Sequence, residues 1–221
     1  MYTNELYDLS KSILGGCLSL YARPWEALSH IGEHIRQLAR TLPEDLFERR
    51  GEDIWIAKSA VIHPSASIAG PCIIDEAAEI RTGAFIRGNV LVGKRAVVGN
   101  STELKNAVLF DGVQVPHYNY VGDSILGYQA HLGAGAITSN VKGDKSLVVI
   151  KSGSTRIKSG LTKCGAMVGD HAEIGCNCVL NPGTVIGKHA QVYPLCCVRG
   201  VIPAEHICKS GNILVEKRRD N

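Results

Sequence analysis

The sequence predicts a parallel β-helix preceded by an N-terminal α-helical segment, all-β apart from that segment. Three observations lead there. Aliphatic residues recur every six positions, mostly small residues follow each by four, and aromatics are scarce at 5% while glycines number 24. A six-residue period marks a solenoid in which each unit is a short strand and a turn. Three units make a triangular coil, and coils stack about 4.8 Å apart. The aliphatic residue fills the triangle, and the small one fits where space is tight.

The elements follow in order. Residues 1–50 read as helical: Leu28, Ile31, Ile35 and Leu38 keep helical spacing behind Pro24, and Leu6, Leu9, Ile13 and Cys17 do so upstream. "TLPEDLFERRGED" punctuates. The coil is expected over 51–207, where Ile56, Ile62, Ile68, Ile74, Ile80, Ile86, Val92, Val98 and Leu104 keep time. The rhythm resumes from Val168 through Val198. Cys72, Cys178 and Cys196 fall on the small-residue beat and are expected to pack. Two interruptions are expected to leave the coil, at about 110–120 and 143–165, the second as a protruding hairpin. Residues 208–221 read as a tail. N-terminal helices are expected to cap the first coil against edge pairing.

Composition narrows the function. The net charge of +3 reads as small and spread out, and the mixed-sign "EKRRDN" near the end is no nucleic-acid patch. No run approaches 18 apolar residues, and the polar start is unlike a signal peptide, so a cytoplasmic location without membrane association is expected. Eight cysteines are then expected to be free thiols or metal ligands, and no CxxC pair occurs. No Gly-rich loop follows a strand in residues 1–50, so no nucleotidyltransferase site is expected there.

Chemistry gathers in "GNSTELKNAVLFDGVQVPHYNYVGD". Arg87 and Lys105 are 18 apart, one full circuit, and should stack. At about 5 Å their repulsion is about 1 kcal/mol in water and about 3 kcal/mol at an effective dielectric of 20. A bound phosphate would reverse that cost; acidic neighbours would also answer it. Glu103 should project on the same side as Lys105. His117 and Tyr120 follow, and an imidazole can take a proton from an amine nucleophile.

The stretch "RGNVLVGKRAVVGNSTELKNAVLFDGVQVPHYNYVGDSILGYQAHLGAGAITSN" resembles the acetyltransferase half of the bifunctional enzyme that makes UDP-N-acetylglucosamine. It is also similar to the C-terminal domains of related sugar-1-phosphate nucleotidylyltransferases, within the hexapeptide-repeat acyltransferase family. The resemblance covers roughly residues 55–205. It implies a left-handed parallel β-helix, a homotrimer with sites between subunits, and acetyl transfer from acetyl-CoA to an amino sugar phosphate. On the matching positions it implies that Arg87 and Lys105 hold the sugar phosphate. His117 would be the general base and Glu103 the carboxylate orienting it, with Tyr120 and Asn140 contacting the acceptor. Ala134, Lys145 and Cys176 would lie on the CoA side. Here Cys176 stands for a serine, His131 for an asparagine and Pro194 for a small residue; the segment at 146–163 is extra.

The expected function is therefore N-acyl transfer from a CoA thioester to an amino sugar phosphate or nucleotide-sugar precursor, with no metal. The alternative is a non-catalytic trimeric module that binds a sugar phosphate or nucleotide sugar. A metal-dependent hydratase would need three converging histidines, and His117 and His131, 14 apart, lack a third in register.

Overall fold

The computed structural model describes residues 1–217. The end of the "EKRRDN" cluster, residues 218–221, lies outside the described residues. The chain winds into stacked triangular coils. One coil consists of Cys72–Ile74, Glu79–Ile80 and Phe85–Ile86, which form the first, second and third faces. Each strand pairs in parallel with its counterpart one circuit on: Ile74 with Val92, Ile80 with Val98, Ile86 with Leu104. The aliphatic beat points inward and is fully buried at Ile86, Val98 and Leu104, as are Cys72 and Cys178 on the small-residue beat. Corner residues take positive φ, as at Ala77 (53°), Arg95 (55°), His171 (57°) and His189 (56°). The triangular turn imposes this left-handed backbone region on ordinary side chains at a conformational cost that coil stacking offsets.

The stretch 110–120 does not leave the coil. Gln114–His117 pairs with Val97–Asn100 before it and His131–Leu132 after it. What changes is phase. Leu104 to Leu109, and Val121 to Leu126, are five positions rather than six, yet Leu109 still pairs with Val92 and Leu126 with Leu109. Glu103–Leu109 and Tyr120–Leu126 run unbroken round the corner between the third and first faces, merging these into one 14-stranded sheet. The second interruption is a hairpin: Val149–Ser152 pairs antiparallel with Thr155–Lys158. The coil continues past 207 through His206–Lys209, and Ile213–Glu216 returns antiparallel along it, so the expected tail is structured as far as it is described.

The N-terminal segment is a covering. Its longest helix, Ile31–Ala39, lies on the first-face strands Cys72–Ile74, Val90–Val92 and Glu103–Leu109. Those strands are buried on both sides: outward Ile73, Leu91, Val108 and Ile125 are as inaccessible as their inward neighbours. Each contributes about 1.5–3 kcal/mol by leaving water. Tyr7 is held by a hydrogen bond from its hydroxyl to the Ile125 carbonyl (3.2 Å) and by the Phe110 ring, with centroids 5.1 Å apart. Residues 47–50, read with the helical segment, belong instead to a strand, Phe47–Gly51, antiparallel to Ile54–Ala57 at the edge of the first coil.

Charge is not spread out. Residues 141–165 hold six Lys/Arg against Asp144 alone, while the rest of the chain has 18 Lys/Arg and 20 Asp/Glu, out of totals of 24 and 21. The basicity of the protein belongs to the inserted hairpin segment.

Asp75, after Ile74, is 1% exposed. One carboxylate oxygen accepts from the Glu76 backbone N–H (2.7 Å); the other has no partner among the described residues. Burial pushes its pKa up to about 6, against the lowering effects of the Glu76 N–H and Lys94 and with Asp111 and Glu76 adding repulsion. The folded chain keeps a proton that the unfolded chain releases near pH 4, so this carboxyl makes stability fall as pH rises from about 4 through 6. Asp75→Asn is expected to raise stability at pH 7 by about 2 kcal/mol and to flatten that part of the profile. Denaturant unfolding at pH 4.5 and 7 measures it; equal gains at both pH values would refute the titration.

Candidate functional site

The phase slips build a polar node. Dropping one residue at each corner puts Asn106 and Asp123 at the bend with φ of 49° and 47°. Asn and Asp tolerate that region best among non-glycine residues. Asp123, 4% exposed, is the hub. Its carboxylate accepts from Lys105 Nζ (3.3 and 3.4 Å), Asn106 Nδ2 (2.9 Å) and Asn140 Nδ2. Asn140 also reaches the Tyr120 hydroxyl at 3.3 Å, and Asn106 donates to the Leu28 carbonyl (3.1 Å), tying the helical covering to the node.

Beside the node, Phe85, Glu103, Tyr120 and Ile137 form one register column on the third face. Arg87 and Lys105 head the next column: the Arg87 N–H donates to the Leu104 carbonyl (2.8 Å), one residue before Lys105. Each cation has its own carboxylate. Arg87 Nη1 lies 2.7 Å from Glu103 Oε1, and Lys105 lies against Asp123. Glu103 thereby holds the Arg87 guanidinium charged, raising its pKa. Burial raises the Tyr120 pKa, with Asp123 and Glu103 adding repulsion that the Asn140 hydrogen bond and Arg87 oppose.

A second column runs down the corner between the second and third faces. His117 pairs in register with Asn100, and its carbonyl accepts from the Gly135 N–H (3.0 Å), so it sits over Ala134. Cys176 follows one coil on and Leu195 N–H bonds its carbonyl (2.9 Å), with Pro194 adjacent. Ala134, Cys176 and Pro194 carry short side chains. The glycines before the first two have no room for a Cβ: at Gly133 it would lie 2.7 Å from the Cys176 nitrogen, and at Gly175 2.4 Å from the Pro194 nitrogen. Successive coils thus stack closely here and present a strip of short side chains. Cys176 is exposed.

One expected relation differs. Glu103 is engaged by Arg87, and among the described residues no hydrogen bond reaches the His117 ring. The loop around His117 is fixed instead by Asn119, 2% exposed. Its Oδ1 accepts from the His117 N–H (3.1 Å), and its Nδ2 donates to the Gly133 and Ala136 carbonyls (2.9 and 3.0 Å). The carboxylate-backed imidazole is His131, with Nδ1 2.8 Å from Glu173 Oε2. Lys145 lies on the inserted segment, exposed, with φ of 55°. Asp123, Asn119 and Glu173 were not anticipated. The slip in rhythm signals the first, and the 42-residue spacing of His131 and Glu173 spans the insertion and so hides their pairing.

Comparison with known proteins agrees with this architecture. A family model described as the GMPPB C-terminal domain matches residues 68–162. A bifunctional sugar-1-phosphate nucleotidylyltransferase/acetyltransferase from Sulfurisphaera tokodaii is 34% identical over 151 residues, 60% of this chain and 38% of that protein. A bifunctional protein GlmU from Methanococcus maripaludis is 29% identical over 98% of this chain and 53% of its own length. YaiX of Escherichia coli K12, an uncharacterized protein that is an acetyltransferase by name only, is 30% identical over 71% of this chain and 67% of its own. The chain thus spans about half or less of the two bifunctional relatives. With the coils and corner columns described above, these matches establish that the chain belongs to the hexapeptide-repeat acyltransferase family.

Proposed function

We propose that the chain transfers an acyl group from a CoA thioester, acetyl-CoA in the first instance, to the amine of an amino sugar phosphate or nucleotide-linked amino sugar. The observation that carries this reading is the stacking of His117 over Ala134, beside the face that holds Tyr120, Arg87 and Lys105. Acceptor and donor would meet at one corner. Relatives named for acetyltransferase activity support the reaction class.

In this reading a phosphate displaces Glu103 from Arg87. An exposed ion pair of this kind is weak, so the exchange is inexpensive. Lys105 adds charge from the next coil, and Tyr120 and Asn140 orient the sugar. The pantetheine arm lies along the Ala134–Cys176–Pro194 strip, and Lys145 attends the CoA side. His117 accepts the amine proton as nitrogen attacks the thioester carbonyl. The tetrahedral intermediate collapses, the C–S bond breaks, and the imidazolium returns the proton to the departing thiolate. No acyl-enzyme forms. The working unit is a homotrimer in which a neighbour closes the corner, in a reducing compartment that keeps the eight thiols free.

One observation favours a second reading, binding without turnover: Glu103 faces Arg87 rather than His117. Thiol release from acetyl-CoA and other short CoA thioesters, tested with amino sugar phosphates and nucleotide amino sugars, separates the two. The expected result is thiol release that needs both substrates and matches acylated amine one for one. Saturable ligand binding with no release from any pair would leave the binding module.

A further inference from the structure

The inserted hairpin closes a second concave site, away from the His117 corner. Its strand Val149–Ser152 packs on the first-face strands Thr184–Ile186 and Val201–Ile202, with Val148 and Ile150 fully buried. Two corner glycines allow this close approach. Gly200 (φ 81°) faces the Lys151 carbonyl, which a Cβ would meet at 2.6 Å, and at Gly183 (φ 76°) a Cβ would lie 2.8 Å from Val148 Cγ1. The hairpin is thus seated on the coil rather than projecting freely.

Between hairpin and coil lies a cleft of about 400 Å³, lined by Lys142, Lys151, Arg156 and Arg199 above a floor that includes Val149 and Pro182. No carboxylate lines it, and the segment's one acid, Asp144, lies beside it, 3.4 Å from Lys142. Among the described residues Lys151, Arg156 and Arg199 have no ion-pair partner. Lys151 and Arg156 are directly opposed across the hairpin. Like charges in that position destabilise a strand pair. Arg156 is also oriented: its Nη1 donates to the Gly153 carbonyl at 2.7 Å. The size of the cleft suits a small molecule, and convergent cations over an apolar floor suit phosphate beside a flat organic group.

We infer that this cleft binds the diphosphate of a nucleotide, the anion answering the opposed Lys151–Arg156 pair and Arg199. The inference rests on the acyl-transfer reading for its two ligands, although none of these residues belongs to the His117 corner; binding is measured without turnover, so thiol release and this cleft can fail separately. The diphosphate has two possible sources, the nucleotide portion of coenzyme A or that of a nucleotide sugar.

Calorimetric titration of the full chain with coenzyme A, UDP and GDP tests it, using a Lys151→Gln/Arg156→Gln double variant and, separately, Arg40→Gln, which removes an exposed charge on the N-terminal covering. The double variant is expected to weaken at least one of these ligands about tenfold or more, as loss of charge-assisted contacts would. A loss for coenzyme A assigns the cleft to the donor; a loss for UDP or GDP assigns it to the acceptor. Arg40→Gln should leave the assigned ligand's affinity within about twofold; an equal loss there would mark a nonspecific charge effect and overturn the proposal. The melting temperature of the double variant should stay level or rise, because a repulsive pair is removed. Equal affinity of wild type and double variant for all three ligands, or no measurable binding of any by wild type, overturns the proposal.

Discussion

His117→Ala is expected to lower kcat for acyl transfer about 10²–10⁴-fold, the usual contribution of a positioned general base. Michaelis constants for donor and acceptor should move by less than about threefold, because an interaction needed mainly in the transition state lowers kcat and kcat/KM together. The structural reason is the stack. His117 is held by Asn119 and rests over Ala134, at the junction between the short-side-chain strip and the face bearing Tyr120. His131 is the control. Its ring is already oriented by Glu173, which is what a working imidazole often requires, but it lies on the second face in register with Gln114, three residues before the corner. His131→Ala and Glu173→Gln are therefore expected to cost less than about tenfold in kcat. If these two variants took the large loss while His117→Ala did not, the base would be His131 with Glu173 behind it.

The contrast between the two histidines shows what the sequence makes legible. Periodicity specifies which residues face inward, because each coil must repeat the same interior. It also places Arg87 above Lys105, because a full circuit is 18 residues where the beat is regular. Beyond Leu104 the beat is kept but displaced by one, and beyond Val121 by one more, so a fixed count reads coil as loop. The displaced segments are those that build the Asp123 node. Side-chain partners were less accessible. Period alone cannot choose between Arg87 and His117 as the neighbour of Glu103, and the inserted hairpin hides the pairing of His131 with Glu173. The burial of the first face had a signal that was open to reading. Ile73, Leu91, Val108, Ile125 and Met167 are apolar at outward positions, which marks a face that something must cover. Hairpin charge was legible too, once counted by segment rather than over the chain.

The node itself should be the most sensitive point of the coil outside its apolar interior. Asp123→Ala is expected to destabilise the fold by about 3–5 kcal/mol, the range for removing one partner of a buried ion pair. For a domain of this size that is a fall in Tm of roughly 6–20 °C. Two causes add. Lys105 and the amides of Asn106 and Asn140 lose their common acceptor, and alanine must take the positive φ that aspartate tolerates better. Asp123→Asn separates them, since it keeps the backbone preference and one acceptor oxygen but removes the charge opposite Lys105. Its cost should be about half that of alanine, and Lys105→Met should recover part of it by removing the uncompensated cation. Denaturant unfolding of the four proteins gives these differences. An Asp123→Ala protein within about 1 kcal/mol of wild type would mean that backbone stacking alone holds this corner. Ligand binding should follow stability at Asp123, because the same carboxylate fixes Lys105 and, through Asn140, Tyr120. At Arg87 the two should part. Its pair with Glu103 is exposed, so losing it should cost the fold little while removing the cation proposed to hold the acceptor phosphate.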